Sequence, residues 1–188
     1  LKRFDEAEAA YRKAELILRA LAADDPQNVL FQSDLAGNSD RLASMFLYKK
    51  DFAAARTALE AAVKTQAELL NREPRHVDYR RRAAMFANSL GNCLYQIRQY
   101  DAAPAELERG LAITRGLLDE DPSRWSDRIR LADTYYYLGL AWFAHGAQRG
   151  SEPDIRQALA MYRRSVAEYV ECERNTPLGP KQRSRFDA

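Results

Sequence analysis

The sequence predicts an all-α protein built as a solenoid of antiparallel helix pairs. Three observations carry that expectation. Pro26, Pro74 and Pro122 stand 48 residues apart, and Pro177 follows 55 residues later. Between those prolines, apolar or small residues recur at steps of three and four, the spacing of one face of a helix. No segment alternates with period two and β-branched enrichment, so no strands are expected. A fixed internal period of this size marks a stacked repeat.

The elements follow in order. Residues 1–27 read as the second helix of a partial unit, and whole units follow at 28–75, 76–123 and 124–177. Together they form one domain, 1–177, with 178–188 as a tail or the start of a further unit. Within each unit the first helix starts just after the proline and ends near "YKK", "IRQ" or "AHG". The second starts near the column Phe4, Phe52, Tyr100 and Ile155 and carries the column Ala7, Ala55, Ala103 and Ala158. Tyr11, Leu59, Leu107 and Tyr162 come next, then Ala14, Ala62, Gly110 and Ser165. Asp51 and Asp101 are expected to cap second helices, as is Ser151 with Asp154 in a capping-box arrangement. Pro104 falls in a first turn, where its missing N–H costs nothing. The count is about seven helices of roughly twenty residues, about 30 Å each.

A single helix pair cannot bury its apolar face. Small residues at Ala43, Gly91 and Gly139 let helices approach, while Leu42, Leu90 and Leu138 fill the seam between them. Stacking the pairs produces a continuous core. The surplus of seven residues in the last unit is placed in "HGAQRGSEPDI", where glycines, Ser151 and Pro153 interrupt the pattern; the role of 146–154 stays open.

Composition excludes some classes. The chain has 188 residues, 46% hydrophobic and 30% charged, with net charge +2, so it has core material and no global field toward nucleic acid or an anionic membrane. No stretch approaches the length of a membrane span. The opening "LKRFDEAEAAYRKAEL" begins abruptly on a helical pattern without an initiator Met or a signal segment, which reads as a piece of a longer polypeptide. Cys93, Cys172, His76 and His145 show no metal-ligand or redox spacing. They point to core thiols, a reducing cytoplasm and no cofactor.

The columns resemble the tetratricopeptide repeat. "LGNCLYQIRQYDAAPAELERG" from Leu90 follows the family's order: Leu-Gly, an apolar residue at Leu94, an aromatic at Tyr100, Ala103, Leu107 and a small residue at Gly110. The usual unit is shorter than the 48 residues seen here, so both helices are extended. The resemblance is to long arrays in large bacterial signalling proteins, where such arrays follow kinase, cyclase, caspase-like or other effector domains. It implies a superhelix that binds partners. Asp127 departs from the pattern by replacing the aromatic seen at Phe31 and Tyr79.

No catalytic constellation is evident, and acid pairs such as Asp24-Asp25 and Glu120-Asp121 sit beside prolines as turn chemistry. The expected role is therefore non-catalytic. In the resembled family, first helices line a concave groove. The helix face opposite Leu90 and Leu94 carries Arg81, Met85, Asn88, Asn92 and Gln96, with Arg82 at the rim and Tyr95 at its edge. Gly37, Asp40, Ser44, Leu47 and Tyr48 match it in the preceding unit, and Asp133, Tyr136, Leu140 and Phe143 in the following one. Asn88 and Asn92 would form an amide ladder for a peptide backbone. Tyr135, Leu138 and Trp142 belong to the core seam, with Tyr136 and Phe143 turned toward the groove or toward a further repeat.

One charge cluster stands out. Residues 72–83 carry five arginines and two acids, whereas 24–35 carry three acids and no base, and 120–131 carry three of each. Arg80–Arg82 are therefore additions to the scaffold. They read as a solvated face, as a site for an acidic peptide or C-terminal carboxylate, or as a nucleic-acid contact. The partner expected first is a protein, a peptide or another domain of the parent chain. Structural spacing or self-association through the solenoid ends is the alternative, nucleic acid comes after it, and no membrane is expected.

Overall fold

The computed structural model describes residues 2–175, with side chains from residue 4; the expected tail at 178–188 lies outside them. Seven helices run in order: α1 (Lys2–Asp24), α2 (Val29–Tyr48), α3 (Phe52–Arg72), α4 (Val77–Gln96), α5 (Ala103–Glu120), α6 (Trp125–Arg149) and α7 (Glu152–Asn175). No strand occurs among the described residues. Each helix packs on its chain neighbours, and α2 also touches α4 while α4 touches α6. The first helices thus form an inner layer backed by α1, α3, α5 and α7. This is an all-α solenoid. None of its described helices is long and apolar enough to cross a membrane.

The expected seam is the core. Leu42, Leu90 and Leu138 are buried in one cluster with Leu59, Leu107, Tyr135 and Met161, and Trp142 packs against it. Close approach is written into Gly91: a Cβ there would lie 2.5 Å from Leu107 Cγ and 3.2 Å from the Ala103 carbonyl oxygen. Cys93 and Cys172 are both fully buried, and burial pushes the Cys172 thiol up to about 11, which keeps it un-ionised.

Helix ends show where local signals held and where they did not. Asp51 accepts from the Ala54 N–H at 3.1 Å, and Ser151 accepts from the Asp154 N–H at 3.5 Å, as expected of N-caps. Asp101 does not cap α5, whose cap position is Ala102 with no side-chain bond. Instead Asp101 receives Arg149 at 2.7 Å and His145 at 3.0 Å from α6, so a longer-range attraction outweighs the local one. His76 is a cap that the sequence reading missed: its Nδ1 accepts from the Tyr79 N–H at 3.4 Å and its ring stacks on Tyr79.

The seven-residue surplus is a correction too. It is not an interruption but added helix. Lys50 and Arg98 end α2 and α4 with positive φ, and the same left-handed turn comes at Gly150 after α6, four residues later than the period predicts. The other three residues, Glu152 to Asp154, form the first turn of α7. Gly150 takes this conformation without strain, and the Ser151 N–H closes the turn on the Gly146 carbonyl at 2.9 Å. His145 then bridges Asp154 at 2.9 Å and Asp101, fastening the longer pair to the preceding unit.

Candidate functional site

The inner layer encloses a pocket of about 280 Å³. Asp40, Ser44 and Leu47 of α2 form one wall, Met85, Asn88, Ser89 and Asn92 of α4 the floor, and Arg130, Asp133 and Tyr137 of α6 the other wall. A second pocket, also about 280 Å³, adjoins it through Met85 and Arg130 and is lined further by Asp78, Arg81 and Arg82. Of the residues expected at the site, Arg81, Arg82, Met85, Asn88, Asn92 and Asp133 are therefore brought together.

Others are placed elsewhere. Tyr48 stacks on Phe4 of α1 at a ring separation of 4.0 Å. Tyr95 packs against the core and near Tyr100, and Gln96 is exposed at the end of α4. Tyr136 meets Tyr137 and Tyr162 edge-on, against α7. Leu140 is half-buried and Phe143 is exposed, and neither lines the two pockets.

Each arginine of the cluster ties α4 to a different neighbour. Arg80 Nη1 donates to both oxygens of Glu120 on α5, at 2.5 and 2.7 Å. Arg81 Nε donates to Asp127 Oδ2 on α6 at 3.1 Å, and its Nη1 reaches Asp78 at 3.3 Å. Arg82 Nη1 donates to the Ser33 carbonyl of α2 at 2.9 Å. Asp127 is 0% exposed, which explains its departure from the aromatic column: it is the buried receiver for Arg81 of the preceding unit. The charge missing from the sibling windows is spent on joining units.

The amides divide similarly. Asn88 Nδ2 donates to Thr134 Oγ1 at 2.6 Å, while its Oδ1 lies against Gly110, where a Cβ would stand 2.2 Å away. Asn88 thus links α4, α5 and α6. Asn92 makes no side-chain hydrogen bond among the described residues and faces the pocket. Asp133 accepts from the Tyr169 hydroxyl of α7 while also lining the wall.

Residues 131–167, covering most of α6 and the first part of α7, match the sequence model of the tetratricopeptide repeat family. These residues form a tetratricopeptide repeat. No curated protein matches the chain. The match supports, at the general level, a protein–protein interaction scaffold. The repeat holds Asp133 and Tyr137 of the pocket wall; the rest of the pocket comes from α2, α3, α4 and Arg130, upstream of it.

Arg130, Ser89 and Tyr137 were missed by the sequence reading. A signal existed: Arg130 is Arg82 moved by one 48-residue period, and Tyr137 is Ser89 moved likewise. The Asp40 carboxyl is pushed upward. Burial holds it above the usual carboxylate range, against the smaller opposing pulls of a Ser89 hydrogen bond and the Arg41 charge. A carboxyl raised in the folded state contributes stability that is present at low pH and lost as pH rises through its folded pKa. At neutral pH Asp40 is therefore a cost to the fold. Asp40→Asn is expected to raise Tm at pH 7, by about 1–3 °C. The gain should shrink toward zero as the pH falls into the range where Asp40 is protonated. Thermal melts of both proteins across that range check it.

Proposed function

We propose that the chain is a non-catalytic interaction domain, spanning 1–177, that grips a peptide or a neighbouring domain on the inner face of α2, α4 and α6. The observation that carries this reading is the pocket itself: polar side chains from three successive first helices converge on it, and Asn92 makes no side-chain hydrogen bond among the described residues. The resemblance to long arrays in bacterial signalling proteins supports a place in a larger cytoplasmic regulatory protein. The engagement of Arg80, Arg81 and Arg82 with protein groups speaks against nucleic acid, which needs cations free to meet phosphates.

The test fills the pocket without disturbing the fold. Asn92→Tyr puts a ring into the space and breaks no hydrogen bond. Binding of randomised octapeptide pools, measured by fluorescence anisotropy, should fall at least tenfold relative to wild type. Unchanged binding would remove the inner face from the account.

A second reading, self-association through the solenoid ends, has its own observation. Leu16 and Ile17 on α1 are 71% and 52% exposed, and Leu159 and Val166 on α7 are 49% and 44% exposed. Light scattering over a concentration series decides it: constant monomer mass excludes this reading.

A further inference from the structure

The inner-face pocket holds two charged side chains that each keep a buried polar atom without a partner among the described residues. Asp40 on the α2 wall has a buried Oδ1 with no hydrogen-bond partner, and Arg130 on the α6 wall has a buried Nε with none. Neither forms an ion pair among the described residues. Their neighbours differ: Arg81 is held by Asp127 and Asp78, Arg82 by the Ser33 carbonyl, and Asp133 takes the Tyr169 hydroxyl. Ser89, on the floor, donates to Asp40.

Asp40 and Arg130 are of opposite sign yet do not meet, because α4 lies between α2 and α6 and forms the floor. A buried polar atom without a partner is costly, so native proteins seldom keep one without a use. Asn88 Oδ1 on the floor is a third such atom, but the two on charged side chains, on facing walls and of complementary sign, describe what should fill the pocket. The bridge must bring a cation to Asp40 and an anion to Arg130.

We propose that the ligand of this pocket is an extended peptide carrying both signs of charge, its lysine or arginine paired with Asp40 and its carboxylate paired with Arg130. This rests on the reading that the inner face binds peptide. Arginine suits the role because its planar guanidinium offers paired donors to a carboxylate. The span sets the spacing. Two helix-to-helix steps cover about 16–20 Å, and an extended chain advances about 3.3 Å per residue, so the two charges lie about five residues apart. Between them the peptide crosses Met85 and Asn92, an apolar contact and a free amide.

The probes are fluorescein-labelled octapeptide pools, randomised except at positions two and seven, which are Lys and Glu, Glu and Lys, Lys and Lys, Glu and Glu, or Gln and Gln. Anisotropy titrations compare wild type, Asp40→Asn, Arg130→Gln and Asn92→Tyr. One mixed-charge order is expected to bind wild type at least tenfold more tightly than the Gln pool. Asp40→Asn should abolish the gain from Lys alone, and Arg130→Gln the gain from Glu alone. Since Asp40→Asn is expected to stabilise the fold, its loss of binding would not be a loss of structure. Equal or tighter binding of the Glu-Glu pool overturns the proposal, as does an Asp40→Asn variant that keeps full preference for the mixed pool. If charge makes no difference but Asn92→Tyr still weakens binding, this proposal fails while the inner-face reading stands. If no pool binds, both fall.

Discussion

Arg81→Ala is expected to cost about 2–4 kcal/mol of stability, because it strips the partner from a carboxylate that has nowhere to go. Asp127 is 0% exposed and its Oδ1 already lacks a hydrogen bond, so Arg81 Nε, at 3.1 Å from Oδ2, is its one side-chain donor among the described residues. Deleting it leaves both oxygens buried and unmatched at the start of α6. The Arg81 side chain is 30% exposed, which places the loss below that of a wholly buried pair. For a chain of this size the loss corresponds to a fall in Tm of about 5–15 °C. Replacing both partners, Arg81→Met with Asp127→Leu, removes the stranded charge and should recover more than half of it. Denaturant titrations followed by circular dichroism measure the cycle. Additive losses would show that the pair contributes nothing as a pair.

Gly91→Val is expected to lose about 3 kcal/mol, near the top of the range for overpacking a core. The space a Cβ needs is filled by Leu107 Cγ and Cδ2, at 2.5 and 2.9 Å, with the Ala103 carbonyl oxygen at 3.2 Å. Leu107 is fully buried and cannot swing into solvent. The added methyls must therefore push α4 and α5 apart. Leu107→Ala alone leaves a cavity and costs about 2–5 kcal/mol. Combined, the two substitutions exchange volume across one contact, and the double variant should be more stable than the sum of the singles by at least about 1 kcal/mol. Strict additivity would mean that the two residues do not share the contact.

Much of this architecture was legible because it is periodic. Proline spacing and the columns led by Leu42, Leu90 and Leu138 repeat the same packing problem, and repeated problems receive repeated residues. The seam and the Gly91 approach follow from that rule, while the Asp51 cap follows from a local one, a short acceptor side chain just before its helix. What stayed hidden are pairings across 40 or more residues between side chains that no local pattern links. Arg80 with Glu120, Arg81 with Asp127 and Asn88 with Thr134 are of this kind. Asp101 looked like a cap by its position, but His145 and Arg149 of α6 outbid the amides of α5. Arg130 does not stand out in sequence because its window is neutral in total, although its column contains Arg82. Composition is averaged over a window, whereas a binding pocket is built from single unpaired atoms.

The charge cluster also changes meaning once its partners are known. A run of arginines after a proline reads as a surface in sequence. In the fold the three side chains spread to α5, α6 and α2, so the run works as three joints between repeat units. The arginine that faces the pocket with an unpartnered Nε among the described residues is Arg130, one period later.

The most direct test of the inner-face account is the location of a bound peptide. In two-dimensional NMR of the isotope-labelled protein, titrated with the tightest-binding octapeptide, the largest shifts are predicted at Ser44, Asn92 and Arg130. Largest shifts at Val63, Leu70 and Ile113 on the outer layer, or at Leu159 and Val166 on α7, would contradict it.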